Sequence, residues 1–424
     1  MARISAFIRR VLGHSGFRKY SKSTGWILGG RIATMGISFL ATLFIARNLG
    51  PTNYGQLSYA LSVIGIIGFI APLGLDNILY RELLRSPDRG HSLLGTSLLL
   101  KLAAGAATAA VAAVFALVVS TDDVSRILIL ILAGTFLLTP FQIINFTFLA
   151  RSEPKYQAIS TVVITIILNL LKVAAIVLGK GVIYIALTLL LEPFLYAVAY
   201  LYMYQAKVGS VRAWSWDTAS GKMLLRDSLP VTLLSSFTFI YARIDQVFIK
   251  VMIGTAEVGI YDAAVRLVDV WNFIPGAITT ALFPAMVNAY RGSREALVAR
   301  TRKIGVAFFI APLALSAVVS ILSPFVVHVL YGPAFQESGI VLRIYIWSFV
   351  GTSLGILTQT YLTLTNERLL LVMSSFLPMV VNIALNLLWV PSYGVVGAAY
   401  ATVISYSLVP FSVLFSRARA GTRA

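Results

Sequence analysis

The sequence contains no cysteine. That excludes disulfides, thiolate metal sites and thiol redox chemistry. Histidine is nearly absent: His14, His91 and His328 are scattered, and no motif joins them. Charge is scarce too. Only 12% of the 424 residues are Asp, Glu, Lys or Arg, about half the ~25% of a soluble domain. There is no G-x-x-x-x-G-K-[ST] loop, which excludes ATP hydrolysis by that route. No paired carboxylates and no Ser/His/Asp set occupy an exposed loop, so no catalytic centre, metal site or cofactor motif is expected and the chain does not read as an enzyme. The pair Asp122 and Asp123 reads as a helix N-cap region in a short turn.

Apolar sequence fills the rest. Hydrophobic residues make up 58% of the chain, and the mean hydropathy is +0.86. Runs of about 20 apolar residues recur from end to end, which predicts an all-α polytopic integral membrane protein. The alternating segments of a membrane β-barrel are missing. Twelve spans are expected. The first six are 24–46, 55–75, 93–119, 126–149, 156–178 and 182–204; the second six are 229–251, 258–285, 304–322, 339–363, 369–390 and 395–414.

The net charge of +18 follows membrane topology rather than nucleic-acid binding. If the N-terminus is inside, the cytoplasmic segments hold 24 of the 34 lysines and arginines. The opposite connections hold only Arg47, Arg126, Lys180 and Lys250. This predicts a cytoplasmic-membrane protein with both termini in the cytoplasm. Residues 1–23 are basic, with Ile4, Phe7, Ile8, Val11 and Leu12 at helical spacing. They read as an amphipathic helix on the inner membrane surface, with a disordered basic tail as the alternative, and not as a cleavable signal peptide. The expected layout is that segment, an N-lobe of six helices (24–206), a cytoplasmic linker (207–228), a C-lobe of six helices (229–416) and a basic tail (417–424). Trp214 and Trp216 in the linker read as interface anchors.

The chain contains an internal duplication. Ile45 to Ala60 (IARNLGPTNYGQLSYA) aligns without gaps on Ile249 to Ala264 (IKVMIGTAEVGIYDAA), so that Ile45, Gly50, Gly55 and Ala60 meet Ile249, Gly254, Gly259 and Ala264. Leu168 to Val173 (LNLLKV) recurs as Leu385 to Val390 (LNLLWV), and Glu153 and Glu367 precede the two copies. Six spans per repeat give both halves the same orientation. Pro72 and Pro275 fall at matching places in spans 2 and 8, and breaks there would flank a central cavity. The alternative is that both prolines only bend helices.

Six basic residues lie inside expected spans: Arg31, Lys101, Lys172, Arg243, Arg266 and Arg343. The acids Glu192, Asp245, Asp262 and Asp269 lie at comparable depth, with Asp76 near the end of span 2. A charge at mid-membrane costs at least about 2.5–3.5 kcal/mol, so these groups must line water or pair. Asp262, Arg266 and Asp269 share a helical face and can pair along it. Arg243 and Asp245 point to different sides and need partners elsewhere. Arg31 has no acid one turn away and shares its face with Thr34, Ser38 and Thr42. That stripe suits an anion such as phosphate; snorkelling to headgroups is the competing reading. Gln142, Asn145, Gln359, Asn382 and Asn386 are expected to bond between helices.

Arg47 to Ala60 (RNLGPTNYGQLSYA), with Leu73, Gly74, Leu75, Asp76 and then Arg81 and Glu82, carries a family resemblance. The chain resembles the Wzx-type lipid-linked oligosaccharide flippases of polysaccharide biosynthesis, within the multidrug/oligosaccharidyl-lipid/polysaccharide exporter superfamily. The resemblance implies two six-helix lobes around a cationic central cavity. It implies a polyprenyl-diphosphate oligosaccharide, such as an O-antigen, capsule or exopolysaccharide repeat unit, as substrate, moved to the outer leaflet by alternating access. It carries the diphosphate-binding role to Arg31 and Arg266, and to Arg243, with Lys101, Arg343 and Lys172 as further cavity candidates. Asp76, Glu192, Asp245, Asp262 and Asp269 are ion-pairing or coupling candidates, for protons, sodium or membrane potential. A monomer working with a polysaccharide polymerase and chain-length machinery is expected. Two other functions compete: a cation-coupled multidrug exporter of the same fold, and a membrane glycosyltransferase or polymerase. Arg31 and Lys101 against Asp76 alone oppose an acidic drug cavity, and no sizeable catalytic loop is present.

Overall fold

The computed structural model describes residues 15–120 and 122–411; the side chains of 15–33, 230, 231 and 233–235 are not among those described. Of the expected N-terminal surface segment 1–23, residues 1–14 lie outside the described residues, as does the basic tail at 417–424, and 15–23 are helical.

All regular structure among the described residues is helical. Helix α1 (Ser15–Ile67) carries spans 1 and 2 across a kink at Gly50, where φ is 71° and ψ 171°. Pro51 follows directly, where a helix restarting after the kink has no need of that N–H. Next come α2 (Leu75–Arg85), α3 (Gly90–Val118), α4 (Asp123–Ala133), α5 (Thr135–Leu138), α6 (Ile144–Ala150), α7 (Lys155–Val177) and α8 (Val182–Lys207). The second repeat supplies α9 (Thr218–Tyr241), α10 (Ile244–Met252), α11 (Thr255–Gly292), α12 (Arg294–Tyr331), α13 (Ser338–Tyr345), α14 (Ser348–Leu364) and α15 (Arg368–Leu408). Helix α15 carries spans 11 and 12 across a kink at Gly394. Among the described residues nine stretches are long and apolar enough to cross a bilayer. Two of them, Thr34–Ile70 and Arg368–Phe411, cover two expected spans each, and the expected span 7, on α9 and α10, is not among the nine.

The two proline sites differ. Near Pro72 the chain leaves the helix at Ile67 and re-enters at Leu75, with Leu73 and Gly74 both at positive φ. At Pro275 no break forms, and α11 runs continuously from 255 to 292. A membrane helix tolerates proline because neighbouring groups re-satisfy the freed carbonyl.

The chain divides into two compact units: 1–44, 70–115 and 130–229 form one, and 45–69, 116–129 and 230–424 the other. The first unit is packed around Leu79, Leu83, Leu94, Ile144, Phe148 and Tyr204. The linker is docked on it. The Ser215 backbone crosses Gly95 so closely that a Cβ there would overlap it, the Asp217 N–H donates to Thr96 Oγ1 at 2.9 Å, and Arg89 reaches Asp217 at 2.8 Å. The second unit is packed around Met286, Leu297, Phe308, Leu357, Tyr361 and Leu362. Leu117, Val118, Ile321 and Phe325 are exposed, as a surface solvated by hydrocarbon requires.

The duplication is visible in backbone detail. The Glu153 N–H donates to the Phe148 carbonyl at 2.8 Å, and the Glu367 N–H to the Leu362 carbonyl at 3.0 Å. Ser152 and Asn366, one residue earlier in each case, have φ of 59° and 55°. Both turns close a helix with the same six-residue reach.

Candidate transport site

The second unit holds the corner of each repeat. Their contact is reciprocal. A Cβ on Gly55 would overlap the Thr255 carbonyl, and a Cβ on Gly259 would overlap the Pro51 carbonyl. Pro51 and Gly55 are the aligned partners of Thr255 and Gly259, so the two corners pack on one another through a local pseudo-twofold axis. Only glycine allows two helix backbones to approach this closely.

Asp262 lies beside that contact, fully buried on α11. It accepts from Tyr54 Oη at 2.8 Å, Ser58 Oγ at 2.9 Å and Gln246 Nε2 at 2.8 Å. Ser58 is its aligned partner, so these two residues face one another across the axis. Ser62 donates to Gln246 Oε1 at 2.5 Å. Arg266 Nε lies 3.2 Å and Arg243 Nη1 3.6 Å from the same carboxylate. One acid thus stands between two arginines whose side chains stay 31% and 27% exposed. Each guanidinium offers five N–H donors, and Asp262 takes up few of them. The remainder is a paired set of planar donors suited to an anion.

Asp269, one turn further along α11, stays within electrostatic reach of both Arg266 and Arg243 without a contact inside 4 Å. It accepts from Asn272 at 3.4 Å and has no ion pair among the described residues. Asp245 has other company: it is buried and accepts from Tyr261 Oη at 2.7 Å, Thr402 Oγ1 at 2.5 Å and Asn386 Nδ2 at 3.0 Å. It too has no ion pair among the described residues. The oxygen Asn386 Oδ1 is buried and has no partner there.

In the first unit Lys101, nearly buried, pairs with the half-exposed Asp76. Lys172 and Glu192 are both half-buried, with no ion pair between them among the described residues. Arg343 is exposed at the end of α13 and shows no ion pair either. Arg31 falls on α1, but its side chain lies outside the described residues. On its expected stripe, Ser38 accepts from Asn169 at 3.3 Å and Thr42 donates back to the Ser38 carbonyl.

Outside the spans, Asp122 caps α4 by accepting from the Ser125 N–H at 2.8 Å, and it pairs with Lys250 at 2.8 Å. Burial pushes its carboxyl up, but Lys250 and Ser125 outweigh this and hold it below the usual carboxylate range. The residues that sequence reasoning missed are Tyr54, Ser58 and Gln246 around Asp262, and Tyr261 and Thr402 around Asp245. A usable signal existed for the first group. Tyr54, Ser58 and Ser62 recur every four residues, a polar stripe on an otherwise apolar helix.

The fold is similar to that of solved multidrug transporters. An inward-facing multidrug resistance transporter of the MATE family, from the MOP superfamily, superposes with a TM-score of 0.79 at 18% identity, covering 92% of this chain and 95% of that one. An outward-facing structure of such a transporter gives 0.60 at 18% identity, with 92% and 96% covered. A MOP superfamily transporter from Pyrococcus furiosus, described as having a binding pocket of reverse polarity, gives 0.63 at 17% identity, with 94% and 95% covered. Residues 20–290 match the model of the family described as polysaccharide biosynthesis protein, and the chain belongs to that family. A curated relative, the probable flippase AglR of Haloferax volcanii, is 29% identical over 180 residues, 40% of this chain and 36% of the relative. The match therefore spans about a third of that protein's length.

Proposed function

We propose that this protein is a flippase that carries a polyprenyl-diphosphate-linked oligosaccharide from the inner to the outer leaflet of the cytoplasmic membrane, with both termini in the cytoplasm. The observation that carries the reading is the pair Arg243 and Arg266 held on Asp262. Two guanidiniums in contact with one carboxylate keep spare planar donors inside the membrane, where a diphosphate needs them. A cationic drug would be repelled by the same pair. Family membership and the flippase relative support the reading. Arg31 is assigned to the same role. Asp245, with no cationic partner among the described residues, is assigned to ion coupling, since a buried carboxylate can take up a proton or a sodium ion as transport proceeds.

The test is transport of a fluorescent polyprenyl-diphosphate oligosaccharide in proteoliposomes. The wild type should transport it. Arg243→Gln and Arg266→Gln should each slow transport by at least about tenfold, from lost charge-assisted bonds. Transport of cationic dyes with no movement of the lipid-linked sugar would replace this reading with the multidrug-exporter one.

A further inference from the structure

One side chain of the first repeat reaches both corners. Asp122, just ahead of α4, reads from the sequence as a helix cap, and it does cap α4. Its remaining bonds go further. Its Oδ2 accepts from Lys250 Nζ at 2.8 Å, and its Oδ1 from Gln56 Nε2 at 3.4 Å. Gln56 belongs to the first corner and Lys250 to the second. Lys250 also donates to Thr255 Oγ1 and lies 5.7 Å above the ring of Tyr59, on the first corner. A single carboxylate thus straps the two corners together. All five residues belong to the second unit.

Beneath the strap the contacts follow turn by turn along α11. Thr255 is in the strap, and Gly259 lies against the Pro51 carbonyl. Asp262 then takes Tyr54 and Ser58 from the first corner, and Arg266 comes next. Arg266 lies eleven residues from Thr255, about 16 Å at 1.5 Å per residue. The strap is therefore the outermost of three contacts that join the corners above the arginine pair. It differs from the inner two in one property. The Lys250 and Asp122 side chains keep 11% and 31% of their exposure, whereas Asp262 has none. Water and salt reach the outer pair, so it can be screened and competed apart. The glycine contact and the buried carboxylate offer them no such access.

We propose that Asp122 and Lys250 form a latch on the external side of the transport site. Their pair must part before the corners can separate and open the arginines outward. The inference rests on the flippase reading for the direction of release. The latch itself is made of residues to which that reading assigns no role.

The experiment uses the full chain, which has no cysteine of its own, in sealed right-side-out membrane vesicles. The probe is a membrane-impermeant maleimide added outside. The target is Ser58→Cys, beneath the strap, where the serine is 2% exposed. Asp122→Asn and Lys250→Gln should each speed its labelling about tenfold, as loss of a charged hydrogen bond implies. Both together should do no more than either alone, because each removes the same pair. With the strap intact, raising the salt from about 0.01 M to about 1 M cuts the screening length from about 30 Å to about 3 Å. Labelling should then speed up several-fold, and Asp122→Asn should abolish that salt response. A permanent structural staple would instead lower the melting temperature of the variants and leave labelling at position 58 unchanged. That result would overturn the proposal, as would additive effects of the two substitutions. Equal acceleration at Ser97→Cys, a site buried in the first unit, would show general loosening and overturn it too. No substrate takes part in the labelling, so failure here leaves the oligosaccharide transport assay standing. Failure of that assay likewise leaves a positive labelling result standing.

Discussion

The two repeats hold their intramembrane charge in different ways. In the first, Lys101 and Asp76 form a single pair, with the acid's side chain 46% exposed. In the second, Asp262 is fully buried and holds two arginines, two hydroxyls and an amide. The side-chain chemistry explains the difference. The lysine ammonium is a compact point charge that one partly hydrated acid can serve. Guanidinium does not deprotonate in proteins, so an acid serving two of them must stay ionised, and that requires several donors around it. The equivalent asparagines repeat the contrast. Asn169 meets the Ser38 hydroxyl, whereas Asn386 meets the Asp245 carboxylate.

Breaking the larger network should have the largest effect. Asp262→Ala leaves two arginines facing each other without their acid, a loss of about 3–5 kcal/mol for a broken buried pair. The expected outcome is little folded protein recovered from membranes, read by detergent thermostability. Asp76→Ala tests the other side of the comparison. Only one partly exposed pair is lost, so a cost of about 1–3 kcal/mol is expected and the protein should still be recovered folded. Equal losses in the two variants would remove the distinction drawn above.

The corners allow a sharper test. Gly55→Ala and Gly259→Ala each drive a methyl into a carbonyl of the opposite corner, at about 1–3 kcal/mol each. Gly36→Ala meets nothing within 4 Å and should be neutral in the same melting assay. Asymmetric losses at 55 and 259 would show that the pseudo-twofold contact does not bear load equally. Asp245→Asn is expected to change stability by less than about 1 kcal/mol, because an amide can replace most of the hydrogen bonds. Its transport should no longer respond to an imposed proton or sodium gradient, measured in proteoliposomes.

The smallest effect concerns the linker. Hydrogen bonds from Ser220 and Ala219, and then Arg89, hold the Asp217 carboxyl below the usual carboxylate range. A depressed carboxylate contributes stability above its unfolded pKa and loses it as pH falls through the folded one. Linker release should therefore appear only below about pH 4, as increased labelling of a Trp216→Cys variant. Asp122, depressed by Lys250 and Ser125 against the effect of burial, should behave in the same direction.

Much of this molecule was legible from sequence because a bilayer leaves few choices. Apolar runs must be helices, and lysines and arginines collect at connections. The repeat was visible because its corners need glycine: Gly50 and Gly254 take positive φ, and Gly55 and Gly259 lie against backbone. The presence of buried charge was legible for the same reason, since each charged residue stands out against an apolar span. Which acid serves which arginine was not. Asp262 and Asp269 lie on one face of α11 with Arg266 between them, yet only Asp262 contacts it, and Arg243 reaches the same acid from the turn between α9 and α10. Tyr54 and Ser58 reach Asp262 from more than 200 positions away in the chain. Helical periodicity assigns a residue to a face of its own helix. The residue opposite that face is decided by packing between helices, and only the tertiary structure contains it.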